Sequence, residues 1–267
     1  MATYNPNVTS YNLSDVDWFE WNGVKCTDWG MHVLVQPDHI APTETLSSTT
    51  IPGRSGSLTI SEGTDIFSDL SMSITCIVDT PYREDNLNLA YISHLGEKLR
   101  GRASIRFANR REGIYYGRLS NQLSLAALVR GDPHRSFTLQ FACEPFLYLD
   151  EGFTPITITS ENSPMSITNT GNVTAQPLLK VKGTGEGTIM IGDQTILLSD
   201  ISDIDYILID CEAKIAYKGV KGDPNDPLTL LNTRVSGEWM KIPTGVSYVT
   251  LSGDITSVEL TPRWRMI

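Results

Sequence analysis

Apolar and polar residues alternate in short runs along most of this 267-residue chain, and turn-forming residues break the runs before any grows long. Trp18-Phe19-Glu20-Trp21 followed by Asn22-Gly23 predicts a strand ending in the dipeptide that favours a type I′ hairpin turn. His32-Val33-Leu34-Val35 is the next predicted strand. Ser57-Leu58-Thr59-Ile60 and Met72-Ser73-Ile74-Thr75-Cys76-Ile77-Val78 put every second side chain on an apolar face, the pattern of a half-buried strand. Sheets with one wet face fit this alternation best.

The period changes once. From about Glu84 to Leu99, residues Leu87, Tyr91, Leu95 and Leu99 recur every four positions with Ile92 beside them, which predicts a helix over about 84–99 with a single apolar stripe. Glu84 and Asp85 at its start and Lys98 and Arg100 at its end match the helix dipole, and Gly101 is placed to stop it. Strand patterns resume in Ala103-Ser104-Ile105-Arg106-Phe107, Ile114-Tyr115-Tyr116-Gly117-Arg118-Leu119 and Ser136-Phe137-Thr138-Leu139-Gln140-Phe141-Ala142-Cys143. The organisation expected is an arm over residues 1–16, a first domain over 17–150 built as a small β-barrel or curled sheet covered by one helix, a linker over 151–164 and a second domain over 165–267. In the last segment, runs such as Leu178-Leu179-Lys180-Val181, Thr188-Ile189-Met190-Ile191 and Tyr206-Ile207-Leu208-Ile209 come at near-regular spacing, the rhythm of a β-sandwich or jelly roll. No repeat marks a solenoid or propeller.

Composition narrows the function classes. No apolar run approaches the ~18 residues needed to span a bilayer, so no membrane role is expected. The first residues carry neither a basic start nor an apolar stretch, so no secretory signal is expected either. The four cysteines, Cys26, Cys76, Cys143 and Cys211, form no C-x-x-C pair and read as free, buried thiols. Net charge is −10, and residues 1–150 and 151–267 each carry −5, which disfavours a protein built to grip nucleic acid. One segment departs from that mean. Lys98, Arg100, Arg102, Arg106, Arg110, Arg111 and Arg118 fall close together and are opposed only by Glu112. They read as a solvated strand face and loop tip, as a charge-pairing surface between subunits with Arg100, Arg102, Arg106, Arg110 and Arg111 as candidate intersubunit contacts, or, as the least favoured of the three, as a nucleic-acid contact.

Candidate chemistry is sparse. His32, His39, His94 and His134 show no H-E-x-x-H pattern and no partnership with a nucleophile. Gly183-Thr184-Gly185-Glu186-Gly187 lacks the Lys-Ser/Thr of a phosphate loop and reads as a hairpin turn. Asp200, Asp203 and Asp205 lack the spacing of a calcium loop. No catalytic, metal or cofactor residues are assigned. Trp239 and Trp264 are weak candidates for stacking on a sugar ring, against the plainer reading of both as core.

Several further landmarks complete the series. In the first half they are Phe19-Glu20-Trp21-Asn22-Gly23, Asp28-Trp29-Gly30, Ile51-Pro52-Gly53-Arg54-Ser55-Gly56-Ser57-Leu58, the single helix, Tyr115-Tyr116 and Phe141-Ala142-Cys143-Glu144-Pro145-Phe146-Leu147-Tyr148. In the second they are Asn169-Thr170-Gly171-Asn172 with Ala175-Gln176-Pro177, Gly183-Thr184-Gly185, Ile209-Asp210-Cys211-Glu212, Gly237-Glu238-Trp239 and Pro262-Arg263-Trp264-Arg265. In this order they resemble the distal tail protein (Dit) family of bacteriophages with long, non-contractile tails.

The resemblance implies a mainly β protein: a tail-tube-like N-terminal β-barrel with one helix and a C-terminal galectin-like β-sandwich. It implies a structural role and no enzyme activity. A homo-hexameric ring at the virion's tail tip, assembled in the host cytoplasm, would join the tail tube protein to the tail-associated tip (hub) protein. In many phages such a ring also holds receptor-binding protein, and tape-measure protein and DNA transit its bore without stable binding. Two departures stand out. Pro243-Thr244-Gly245-Val246-Ser247 has Val-Ser where a polar turn with Asn is expected, and the sandwich has no room for a long inserted arm. The alternative is a carbohydrate-binding module acting through the C-terminal β-sandwich.

Overall fold

A computed structural model of the chain describes residues 16–61, 63, 65–79, 85–125, 134–220, 223 and 225–267, with the backbone alone for 79, 85–88, 134 and 135. The arm over residues 1–16, the Glu84, Asp85 and Leu87 side chains and the turn before His134 therefore lie outside the described residues, Val16 apart. The protein is mainly β and divides into two compact units, Met1–Phe146 and Leu147–Ile267.

The first unit holds β1 (Phe19–Trp21), β2 (Val24–Lys25), β3 (Met31–Val35), β4 (Leu46–Thr50), β5 (Ser57–Ser61), β6 (Leu70–Asp79), α1 (Asp85–Lys98), β7 (Arg102–Phe107), β8 (Arg110–Leu119) and β9 (His134–Cys143). Its main sheet runs β2-β1-β7-β8-β9-β6-β3. Asn22 (φ 49°) and Gly23 (φ 78°) both sit at positive φ between the paired residues Trp21 and Val24, as a type I′ turn requires. The sheet curls until its far strand returns to the chain just before β1. There Val33 N–H donates to the Asp17 carbonyl at 2.7 Å, His32 Nδ1 lies 2.8 Å from Asp17 Oδ2, and Gln36 Nε2 donates to the carbonyls of Val16 and Trp18.

Curling leaves an inside, and alternation fills it. Phe141 on β9 packs against Phe19, Trp21 and Phe107 at ring-centroid distances of 5.6, 5.8 and 6.0 Å, an aromatic cluster drawn from three strands. Leu95 on α1 and Leu99 just beyond its end are buried, and the Tyr91 hydroxyl donates to the Trp29 carbonyl at 2.9 Å. Gly101 (φ 82°) follows the helix in the left-handed region. Strand β5 forms where its alternation predicts, yet pairs only with β4, and its side chains are exposed apart from a half-buried Leu58. Alternation defines an apolar face without supplying a cover for it.

The second unit holds β10 (Leu147–Leu149), β11 (Ile156–Thr159), β12 (Met165–Asn169), β13 (Leu178–Ile191), β14 (Gln194–Leu198), β15 (Ile207–Asp210), β16 (Ile215–Lys218), β17 (Thr229–Leu230), β18 (Val235–Gly237), β19 (Gly245–Thr261) and β20 (Arg265–Met266). The segment 151–164, expected as a linker, contains β11, which pairs with β19 from Ile156 opposite Leu260 to Thr159 opposite Ser257. It belongs to the second unit because its alternating Ile156 and Ile158 have a partner strand about a hundred residues downstream, a pairing that local composition does not reveal.

Two long antiparallel strands, β13 and β19, organise this unit. Their ladder shifts register between Lys182 and Gly183 and again between Gly183 and Gly187. On one side of the shift β13 pairs with β15 and β19 with β11; on the other, β13 pairs with β14 and β19 with β12. Bulged strands bend, and inward side chains from both halves, Leu179 and Val181 with Ile189 and Ile191, meet in one core. The result is a two-layer sandwich whose layers share continuous strands. Gly183-Thr184-Gly185-Glu186-Gly187, expected as a hairpin turn, is this bend within β13. A Cβ at Gly183 would lie 2.7 Å from the Asp254 carbonyl oxygen, and one at Gly187 would lie 2.5 Å from Ile255 Cγ1 and 2.8 Å from the Ser252 carbonyl oxygen.

Gly187→Val is therefore expected to lower unfolding stability by about 1–3 kcal/mol through overpacking, while exposed Thr184→Ala changes it by less than about 0.5 kcal/mol. Denaturant midpoints of the two variants check this; an unchanged midpoint for Gly187→Val would show that β13 and β19 do not cross closely here.

Candidate functional site

The basic segment occupies the β7–β8 pair. On β7 the pleat points Ala103, Ile105 and Phe107 inward and Arg102, Ser104 and Arg106 outward; on β8, Tyr116 and Arg118 face the same outer side. Arg102 and Arg118 are direct cross-strand partners, and both are exposed. Like charges so placed repel. Glu144 offsets this at Arg102, accepting from its guanidinium at 2.6 Å, and the same guanidinium lies over the Tyr116 ring at 4.4 Å.

The remaining arginines go to other places. Arg106 lies opposite Glu20, with Nε 3.3 Å from its carboxylate, and donates to the Arg111 carbonyl at 2.6 Å. Arg111 donates from Nε to the Ala108 carbonyl at 2.9 Å and lies over the Trp18 ring, which Lys25 Nζ approaches at 4.5 Å. Arg100 is exposed at the end of the helix. Arg110 is different: only 4% exposed, it donates to the Tyr115 hydroxyl and the Asp38 carbonyl, both at 2.6 Å, and to His39 Nδ1 at 3.3 Å. It ties the loop after β3 to β8 and presents no guanidinium to a neighbouring molecule. Alternation from Arg106 would have kept it outside, but the register shift between Ile105 and Phe107 and the Ala108-Asn109 turn put it opposite inward-facing Phe107.

Of the two tryptophans considered for a sugar, Trp264 is 4% exposed within the core of the second unit, and Trp239 is half-buried against that core. Trp264 therefore offers no open ring face. The broadly exposed aromatic of that unit is Tyr248 at 61%, on the outer face of β19. Asp203 accepts two bonds from Arg234 at 2.8 Å, and Asp205 pairs with Lys218 at 3.2 Å, so these acids hold a surface turn. Among the described residues no group of His, Cys, Asp and Glu is arranged to hold a metal ion, and no helix is long and apolar enough to cross a membrane. Burial pushes the Cys26 thiol up to about 11 and those of Cys143 and Cys211 up to about 12, and it raises Cys76 further. All four are free.

A half-buried ionic cluster that the sequence reading did not single out closes the second unit. Arg263, at φ 55°, donates two parallel bonds to Asp210, each 2.9 Å, and a third to Glu212 at 3.2 Å. The Tyr148 hydroxyl donates to Glu212 at 2.5 Å, and Arg265 Nε donates to the Thr174 carbonyl at 2.8 Å. Burial opposes ionisation of Asp210, yet the Arg263 guanidinium and the Ala213 and Glu212 amides outweigh it and hold the carboxyl below its usual range. Two landmarks of the sequence, Ile209-Asp210-Cys211-Glu212 and Pro262-Arg263-Trp264-Arg265, supply its members, but some fifty residues separate them and nothing local pairs one with the other.

The fold is similar to that of a phage hub protein. A superposition on the Dit protein of phage SPP1, a hub adsorption apparatus protein of phages infecting Gram-positive bacteria, gives a TM-score of 0.65 at 16% identity and covers 91% of this chain and 97% of that one. Chains from the phage P2 baseplate in its activated conformation align at TM-scores of 0.45 with Ca and 0.46 with Sr, at 12% and 11% identity, covering 89% and 91% of this chain and 92% and 97% of theirs. No protein-family model and no curated protein matches the sequence.

Arg110→Ala is expected to cost about 2–4 kcal/mol, because it removes charge-assisted bonds from a buried site. Arg102→Ser should cost less than about 1 kcal/mol; chemical denaturation of both variants separates a strut from a surface residue. The Asp210 pair sets a pH dependence. A carboxyl with a depressed folded pKa contributes stability that is present above its unfolded pKa, near 3.8, and is lost as pH falls through the lower folded value. Thermal scans from pH 5 downward should show this loss, and it should be smaller in Asp210→Asn.

Proposed function

We propose that this chain is a structural subunit of a bacteriophage tail tip, forming a hexameric ring that joins the tail tube to the tip apparatus and lets DNA pass. The observation that carries the reading is the SPP1 Dit-like fold over 91% of the chain, because a likeness spanning both units goes beyond the reuse of one common β-sandwich. The order of motifs from Phe19-Glu20-Trp21 to Pro262-Arg263-Trp264-Arg265 supports it independently. The first unit is the ring-forming tail-tube-like domain in this reading and the second a galectin-like sandwich. Tail tube protein, hub protein and, in turn, receptor-binding protein would be its neighbours in the virion. A net charge of −10 suits a conduit that DNA slides through, since tight phosphate contacts would hold it.

Exposed Arg100, Arg102 and Arg118 suit charge pairing with an acidic patch on the adjacent subunit. A closed ring needs two different patches in head-to-tail contact. The carbohydrate-binding alternative is the weaker reading, because Trp264 is in the core and Trp239 is packed against it.

Negative-stain electron microscopy and sedimentation of the purified protein test the proposal. The expected result is six-fold rings that dissociate more readily as the Debye length falls from ~10 Å at 0.1 M salt to ~3 Å at 1 M. Fluorescence anisotropy with double-stranded DNA at physiological salt should give no micromolar binding. Monomers under all conditions would count against the ring, and tight, salt-sensitive DNA binding against the conduit.

A further inference from the structure

The long strands β13 and β19 carry different chemistry on the outside of their two halves. Before the bend in β13, Lys180 and Lys182 point outward and share Glu259 of β19 at 3.5 and 3.9 Å. Beyond the bend the outward positions are uncharged. Tyr248 lies opposite Ser166 of β12, Val246 opposite Thr168, and Thr250 opposite Met190 of β13. Ser247, Val249 and Leu251, one pleat out of step, are buried.

Tyr248 is 61% exposed; among the described residues its ring stacks on no aromatic or cation, and its hydroxyl has no hydrogen-bond partner. The turn between β13 and β14 comes alongside it, since the Gly192 N–H donates to the Tyr248 carbonyl at 3.2 Å, and that turn carries Asp193. At the other end of the face, the Glu238 N–H donates to the carbonyl of Thr195, the β14 partner of Met190. Both acidic side chains are exposed, and neither carboxylate has an ion pair or hydrogen bond among the described residues. From β19 across β13 and β14 to β18, which Glu238 follows, is three strand spacings, about 14 Å.

These groups select a ligand by its chemistry. A sugar ring offers an apolar face of C–H groups and a rim of hydroxyls. An open tyrosine ring receives the first, and unpaired carboxylates with neighbouring Ser and Thr hydroxyls accept from the second. The charge is wrong for an acidic polymer, because Asp193 and Glu238 flank a face whose strands hold no Lys or Arg. A protein partner favours a continuous apolar centre, whereas here Val246, Tyr248 and Met190 each have a hydroxyl side chain directly opposite.

We infer that this outer face binds an uncharged polysaccharide, with Tyr248 as the stacking platform and Asp193 and Glu238 accepting from sugar hydroxyls at its two ends. The platform is this tyrosine, while Trp239 and Trp264 stay with the core. Binding of this kind is a second function of the second unit. It does not depend on the ring, and the ring does not depend on it.

Affinity electrophoresis of the full chain tests it, in gels holding soluble uncharged polysaccharides of glucose, mannose, galactose or N-acetylglucosamine, with polygalacturonate as the acidic control. At least one uncharged polymer should retard the wild type, and direct titration with that polymer should give the same affinity at low and high salt. Tyr248→Ala should bind it about tenfold or more weakly, while Tyr248→Phe, which keeps the ring, should bind like the wild type. Asp193→Asn with Glu238→Gln should weaken binding several-fold, and Lys182→Ala, on the other half of the strands, should leave it unchanged. All these side chains are exposed, so the unfolding midpoints should stay as in the wild type. Retardation by no uncharged polymer, or retardation that Tyr248→Ala leaves intact, would overturn the inference and leave the ring reading standing. Retardation by polygalacturonate would overturn the uncharged ligand. If no polysaccharide binds and Tyr248→Ala instead weakens assembly in sedimentation, the face is a protein contact and the inference falls.

Discussion

A β-strand offers hydrogen bonds on both sides, and every sheet must dispose of the two edges where its neighbours run out. That constraint shapes both units. In the first, the sheet curls until β3 reaches the chain before β1, where Val33 donates to Asp17 and Gln36 reaches the carbonyls of Val16 and Trp18. The curl creates the interior that Phe19, Trp21, Phe107 and Phe141 fill. In the second, β13 and β19 bend at Gly183 and Gly187 and pass from one layer to the other, so that each layer continues the other's edge. Among the described strands, the pair left outside this arrangement is β4–β5.

Charge follows the same geometry. An arginine one pleat out of step becomes interior, and Arg110 is tolerated there because the Tyr115 hydroxyl, the Asp38 carbonyl and His39 accept its protons. Arg102 and Arg118, in step with the outer face, stay solvated beside each other. Arg263 occupies the middle case, half-buried and shared between Asp210 and Glu212, where two carboxylates and one guanidinium fasten the end of the chain to the sandwich.

Local signals were legible in the sequence and distant ones were not. Asn22-Gly23 announces its turn because both residues tolerate positive φ, and β6 and β9 announce themselves by strict alternation. Leu95 and Leu99 mark the buried side of α1 by their spacing. The glycines from 183 to 187 read as a turn because glycine serves equally for a turn and for close strand crossing; only Asp254 and Ile255, seventy residues on, decide between the two. Residues 151–164 read as a linker for the same reason, since the partner of Ile156 is Leu260. At the candidate surface, composition grouped the arginines correctly in space along β7 and β8, but the shift at Ile105 and the following turn changed the parity that decides which of them reach solvent.

The strands shared between the two layers of the second unit also have a mechanical meaning. In an antiparallel ladder the hydrogen bonds lie perpendicular to the strands, so tension applied along β13 or β19 loads many of them together in shear instead of opening them one at a time. The paired length runs from Leu178 opposite Thr261 to Ile191 opposite Val249 and crosses both layers. A pull transmitted through either strand is therefore borne by the whole sandwich, and the layers cannot slide apart while the covalent chain that passes through both remains intact.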